Sequence, residues 1–125
     1  MIAFRGMNST NAFRIAAVAG FLGVALGAFG AHGLKDVLQK NSTVDVWKTA
    51  SSYHLIHSAV LLFLASRRPL PLGPWYLLLA GVIIFSGSLY VLAVTGIHWL
   101  GAITPLGGLT FLAGWLWLAI KPPVD

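Results

Sequence analysis

The sequence predicts an all-α integral membrane protein, a four-helix bundle that forms a single transmembrane domain. Hydrophobic residues make up 58% of the 125-residue chain and charged residues only 9%, whereas a soluble domain usually carries about 25% charged residues. The mean hydropathy is +0.84. Four apolar stretches have about the 20 residues that a helix needs to cross a bilayer core. Lipid is therefore the expected solvent for most of the surface.

The four expected spans cover residues 12–33, 46–66, 74–95 and 99–120. They are too long and too uniformly apolar for the strands of a membrane barrel, which are about ten residues long and alternate. Proline-rich turns end the second span and the fourth. An alternative is that Arg5, Arg14 and the following apolar run form a signal peptide cleaved near Ala28-Phe29-Gly30. We expect this segment to be retained as the first span.

The distribution of basic residues predicts the topology. With four spans, both termini lie on one side of the membrane, and the loops on that side carry more basic residues than the others. The side with the termini would hold Arg5, Arg14, Arg67, Arg68 and Lys121, and the opposite side Lys35, Lys40 and Lys48 beside Asp36 and Asp45. This bias favours termini in the cytoplasm, or in the matrix of an organelle.

The same charges also limit the function classes. A net charge of +5 spread along the chain does not form a basic stripe, so no nucleic-acid partner is expected. The chain has no cysteine, which excludes disulfides, thiol catalysis and thiolate metal sites.

Small residues form a stripe along the first span. Gly20, Gly23, Gly27 and Gly30 fall on one helical face, and Gly23 and Gly27 form a G-x-x-x-G pair. Such a stripe lets another helix approach closely in lipid, so we expect helix packing there and disruption by leucine at Gly23 or Gly27. The alternative is that the bare backbone lines a pore or a ligand groove.

Histidines and hydroxyls form a second pattern. His54 and His57 share a face of the second span because they are three residues apart, and an ionisable residue inside a span suggests function. The predicted topology places the members of a polar intramembrane cluster on one side of the membrane: His32, His54, His57, Ser86, Ser88, Tyr90 and Thr104. We expect these residues to pack by hydrogen bonding, with His54 contacting Ser86, Ser88 or Tyr90.

Other chemistry at these histidines stays open as an alternative. The pair could hold a metal, a haem or a chlorin, or could relay protons, but the chain has neither cysteine nor glutamate to complete a common metal-ligand set. No metal, cofactor or catalytic residue is therefore predicted. In the fourth span, Pro105 before Gly107 and Gly108 predicts a kink or local unwinding, a feature that transporters use to expose backbone to ligands.

Four ordered motifs carry a family resemblance. They are Gly27 to Leu34, Trp47 to Ala50 with Tyr53-His54 and His57, Phe85 to Tyr90, and Thr104 to Gly108. Together they resemble the domain-of-unknown-function 423 family of YgdD/YwdK-like small membrane proteins, over about residues 13–117. The resemblance implies a four-helix protein of the bacterial inner (plasma) membrane, and it implies no catalytic residues.

The expected function is that of a non-enzymatic scaffold or an accessory subunit of a membrane complex. The expected partners are the lipid bilayer and either further copies of the chain or other subunits. Two alternatives stay open: a small transporter or channel module, and a cofactor or lipid-binding protein built on His32, His54 and His57.

Overall fold

The computed structural model describes residues 6–124, and within them every regular element is helical. Arg5 and Asp125 lie outside the described residues. The elements are α1 (Ser9–Ala31), α2 (Lys35–Lys40), α3 (Val44–Ala65), α4 (Leu72–Gly81), a π segment (Val82–Ser86), α5 (Gly87–Thr95), a 3-10 turn (His98–Ala102) and α6 (Thr104–Ile120). The segments from Leu72 to Thr95 form one continuous helix, which we call the α4–α5 rod.

Local sequence explains where the helices begin and end. The Asn8 side chain accepts a 2.8 Å hydrogen bond from the backbone N–H of Asn11, which satisfies one of the free donors at the start of α1. At the far end of the rod, Gly96 adopts a left-handed conformation with φ of +73°, which glycine tolerates because it has no Cβ. The rod therefore ends in a tight turn that leads into α6.

The helices pack as a series of antiparallel neighbours in chain order. α1 lies against α3, α3 lies against the rod, and the rod lies against α6. Apolar side chains fill two cores at opposite ends of the bundle. The larger core, nearer the termini, includes Ala16, Leu61, Trp75, Leu78 and Phe111, and the smaller one contains Leu38, Trp47 and Ala93.

Three helical stretches are long and apolar enough to cross a membrane: Ser9–Ala31, Leu72–Thr95 and His98–Ile120. The predicted membrane class is therefore supported, whereas the count of four spans is not confirmed by length and composition. Helix α3 is 22 residues long but is not among the three. Its two histidines and several serines make it more polar than its neighbours.

The structure differs from the sequence prediction in three local features. The first loop contains the short helix α2, which the sequence analysis did not predict. Pro105 lies in the first turn of α6, where a proline needs no N–H partner, so α6 itself is not kinked by it. The irregular winding lies just before it, because the 3-10 turn His98–Ala102 precedes α6 within the stretch His98–Ile120. The rod is also irregular and widens into the π segment at Val82–Ser86.

Candidate functional site

His54 joins three helices in the middle of the bundle. One ring nitrogen, Nε2, lies 2.8 Å from the backbone carbonyl of Ala19 on α1, and the other, Nδ1, lies 2.8 Å from the hydroxyl of Tyr90 on α5. A carbonyl only accepts hydrogen bonds, so Nε2 carries the proton and donates. In the neutral ring Nδ1 then accepts from the Tyr90 hydroxyl. The predicted contact between His54 and a hydroxyl of the third expected span is confirmed, and the partner is Tyr90 on α5.

His57 has the opposite tautomer. Its Nδ1 lies 2.8 Å from the carbonyl of Tyr53 one turn earlier, and the indole N–H of Trp115 on α6 donates to its Nε2 at 3.0 Å. Because an indole only donates and a carbonyl only accepts, His57 must carry its proton on Nδ1 and must be neutral. Its ring also stacks on Phe111, with 3.9 Å between centroids.

The other members of the predicted polar cluster form separate contacts. Ser88 and Thr104 share a hydrogen bond of 2.6 Å between their hydroxyls, which links α5 to the start of α6. Ser86 is buried and donates to the carbonyl of Ala50 at 2.8 Å. His32 ends α1 as an exposed residue, and the structure does not bring it to the other histidines. The predicted residues thus occupy several interhelical bonds and do not share one site.

Three polar contacts were not anticipated from the sequence. The indole N–H of Trp115 donates to His57. Trp47 is 5% exposed and donates to the carbonyl of Leu26 at 2.9 Å. Thr43 donates to the carbonyl of Ala93 at 2.7 Å. Spacing alone gives no signal for these bonds, because each partner lies on another helix.

Two buried polar atoms have no hydrogen-bond partner among the described residues. They are the hydroxyl of Ser51 and the indole nitrogen of Trp75. Trp75 is fully buried within the larger apolar core. Both atoms are buried, and Ser51 also lines a cavity between α1, α2 and α3.

The predicted glycine stripe of α1 faces α3 at three of its four positions. A Cβ on Gly20 would meet Ser58 at 3.9 Å, one on Gly23 would meet the Leu55 side chain at 2.7 Å, and one on Gly30 would overlap the Trp47 indole. Gly27 differs from the expectation, because a Cβ there would meet no heavy atom within 4 Å. Gly27 borders a surface cavity of about 320 Å³ between α1, α2 and α3.

An aromatic groove separates α3 from α6. It has a volume of about 530 Å³ and is open on one side. Its walls include Tyr53, His57, Phe111 and Trp115. Because both nitrogens of His57 already bond protein groups, the groove presents ring faces and no free ligand atom of that histidine.

The arrangement limits the chemistry that these residues can perform. Within residues 6–124, the buried polar side chains are serines, a threonine and the two histidines, with no charged group among them. In the same part of the chain, no three His, Cys, Asp or Glu side chains lie close enough to share a metal ion. His54 and His57 form hydrogen bonds that link α3 to neighbouring helices.

Comparison with known proteins places the chain in a family. The family model described as "Protein of unknown function (DUF423)" matches residues 26–108. The membrane protein YwdK of Bacillus subtilis is 42% identical over 113 residues, which cover 85% of this chain and 90% of YwdK. The inner membrane protein YgdD of Escherichia coli is 38% identical over 116 residues, covering 87% and 86%. No solved structure matches the chain.

These matches extend over most of both chains, and the relatives are named membrane proteins. The apolar helices of the structure agree with that environment. The chain is an integral membrane protein and belongs to the DUF423 family.

Proposed function

We propose that the chain is a non-enzymatic scaffold or accessory subunit in the inner (plasma) membrane, built as four membrane-spanning helices. One observation carries this proposal. Both ring nitrogens of His54 and of His57 form hydrogen bonds to groups of the protein itself, one as donor and one as acceptor. Neither of these two rings has a nitrogen left for acid–base chemistry or for binding a metal, so His54 and His57 support architecture.

The position of α3 supports its role as a membrane span in addition to the three apolar stretches. Its 22 residues extend about 33 Å at 1.5 Å per residue, which suits a bilayer core of about 30 Å. It lies between α1 and the rod, and its polar groups His54, His57 and Ser58 are almost fully buried. Neighbouring helices therefore shield from lipid the residues that lower its hydropathy.

Four crossings place both termini on one side, and we assign that side to the cytoplasm. Of the basic residues at that end, Arg14, Arg67, Arg68 and Lys121 lie in the described part of the chain. The opposite end carries three lysines, partly balanced by Asp36 and Asp45. A reporter fused after Asp125 should be active only on the cytoplasmic side, and activity on the other side would reverse the topology.

The transporter and cofactor alternatives have less support. Ion coupling in a membrane usually uses a charged side chain within the spans, and the described residues bury none. A haem or metal on the histidines would have to break bonds to Trp115 and Tyr90 that already satisfy both rings. The expected absorption spectrum of the purified protein shows no cofactor band, and a haem or chlorin band would refute the structural role.

Paired substitutions test the structural role of His57 directly. His57→Leu should destabilise the protein in detergent by about 1–3 kcal/mol because it removes the acceptor of the Trp115 N–H. Adding Trp115→Phe should recover most of that loss, since replacing both partners by apolar groups is nearly neutral. Thermal unfolding in detergent measures both, and failure of the double variant to recover stability would contradict the role.

Assembly tests the scaffold role. Native mass spectrometry in mild detergent should show either a homo-oligomer or a stoichiometric complex, and the His57→Leu/Trp115→Phe variant should assemble like the wild type. A clean monomer with no partner, confirmed by cross-linking in native membranes, would contradict a scaffold or accessory function.

A further inference from the structure

A basic cavity lies at the end of the bundle that holds the chain termini. It has a volume of about 380 Å³ and lies between the first turns of α1 and the residues that follow α3. Ser9, Thr10, Phe13 and Arg14 line one side, and Ser66 and Arg68 line the other. Residues from two distant parts of the chain, among them two arginines, thus line one space.

The charge in this cavity is not balanced by the described protein. No Asp or Glu lines it, and the two acidic residues of the described chain, Asp36 and Asp45, lie near α2 at the opposite end. Within residues 6–124, Arg14 makes no hydrogen bond through its side chain, and Arg68 makes one, a long 3.4 Å contact from Nη1 to the carbonyl of Ala65.

The adjacent Arg67 gives a useful contrast. Its Nε donates to the carbonyl of Pro123 at 3.1 Å, and its guanidinium lies 5.8 Å from the centre of the Phe63 ring. Arg67 therefore holds the end of the chain against α3. Within residues 6–124, most of the side-chain donors of Arg14 and Arg68 have no protein partner.

We propose that this cavity binds the phosphate of an anionic phospholipid. A guanidinium presents paired donors that match phosphate oxygens, and the hydroxyls of Ser9 and Thr10 at the same cavity add further donors, whereas the Ser66 hydroxyl donates to the carbonyl of Phe63. Basic pockets between membrane helices commonly hold anionic head groups. This lipid site does not depend on the scaffold role, because it requires only that α1 lies in the bilayer and not that the protein binds partner subunits.

A membrane lipid fits the cavity better than free phosphate for two reasons. The first turns of α1 lie where a spanning helix meets the head-group layer, so the cavity opens at the depth of lipid phosphates. Phe13 is 48% exposed beside the arginines, and its ring offers an apolar surface on which the acyl chains can lie. A free anion would use the arginines but not this ring.

Lipid titration of the full-length protein, followed by native mass spectrometry in detergent, tests the site. Phosphatidylglycerol should bind more tightly than zwitterionic phosphatidylcholine. Arg14→Gln and Arg68→Gln should each weaken phosphatidylglycerol binding roughly fivefold, and the double variant roughly thirtyfold. The matched control is Lys40→Gln/Lys121→Gln, which removes the same charge outside the cavity and should retain wild-type affinity.

Three outcomes would overturn the proposal. They are equal binding of the two lipids, a loss in the arginine double variant no larger than in the control, and displacement of the lipid by inorganic phosphate at equal concentration. The last result would identify a site for the free anion. If the double variant fails to fold, the charge-conserving variant Arg14→Lys/Arg68→Lys provides the test. This variant must still prefer phosphatidylglycerol over phosphatidylcholine at low salt, and the preference must disappear as the salt concentration is raised.

Discussion

Two pairs of helices pack through glycine: α1 with α3, and the α4–α5 rod with α6. The glycines of the two pairs meet different atoms. Along α1, a Cβ on Gly23 would press on the end of the flexible Leu55 side chain. Along α6, a Cβ on Gly107 would overlap the backbone of Phe85 in the π segment. A side chain can change rotamer, whereas a helix backbone cannot yield without moving the helix. The contact of α6 with the π segment of the rod is therefore more specific than the α1–α3 contact.

The polar bonds are distributed in the opposite way. α1 is held to α3 by the bonds of His54 to Ala19 and of Trp47 to Leu26, while the α4–α6 contact is mainly apolar. Close backbone approach and hydrogen bonding are alternative means of joining helices in lipid, where no hydrophobic effect drives them together. Substitutions can show whether the two pairs differ in this way.

The largest effect is expected at Gly107. Gly107→Ala should lower stability by about 3 kcal/mol, at the upper end for overpacking, because the new methyl group overlaps the Phe85 backbone. The matched control is Gly108→Ala, whose Cβ would lie 4.0 Å from the Phe85 ring and should be neutral or slightly stabilising. Thermal unfolding in detergent measures both, and equal melting temperatures would remove the distinction between the two pairs.

Gly30→Ala should have the second largest effect, about 2 kcal/mol. Its methyl group would overlap the Trp47 indole and displace it from its bond to Leu26. Gly27→Ala, one turn earlier on the same helix, is the control. Chemical denaturation monitored by tryptophan fluorescence would show the displaced indole, and an unchanged spectrum in Gly30→Ala would contradict the predicted overlap.

Tyr90→Phe should cost about 0.6 kcal/mol, the average measured for hydrogen bonds between membrane helices, and no more than the maximum of about 1.7 kcal/mol. The substitution leaves Nδ1 of His54 without its donor. Tyr76→Phe is the control, since that ring is 47% exposed and its hydroxyl makes no hydrogen bond within the described residues. If both variants melted alike in detergent, the His54 bond would contribute nothing to the α3–α5 contact.

Gly27→Leu should have the smallest effect, within about 0.5 kcal/mol, typical of substitutions away from packed positions. The structure shows open space at this position, so the side chain can enter the cavity beside it. The sequence pattern alone predicted disruption. Gly23→Leu, which would meet Leu55, is the comparison on the same stripe and should be clearly less stable by the same unfolding measurement.

Much of the fold could be predicted from the sequence because hydropathy over about 20 residues reflects the thickness of the bilayer. The bond of His54 was also within reach, since its depth in the second span matched that of Tyr90 in the third. The bonds of Trp115 and Trp47 were not, because they depend on how far each helix rotates about its axis. Helical periodicity gives the face of a helix but not the neighbour that it meets.

The packing glycines show the same limit. A stripe of small residues identified the face of α1 but not the atoms opposite each position, so Gly27 could not be distinguished from Gly30. Gly107 and Gly114 of α6 lie in close contact with the rod, yet their spacing in the sequence did not indicate a packing face. Close approach becomes apparent only when both helices and their offset are known.

The π segment has a consequence for the angular phase of the rod. A π turn accommodates one extra residue, so α5 is rotated relative to α4 by roughly the 100° of one α-helical residue. α4 can therefore face α6 while α5 faces α3, and a single rod serves two neighbours. Ile83 is an exposed residue of this segment, and its deletion would restore regular α-helical winding. Tyr90 would then rotate away from His54. The contact between α3 and α5 would be lost although no contact residue had been removed.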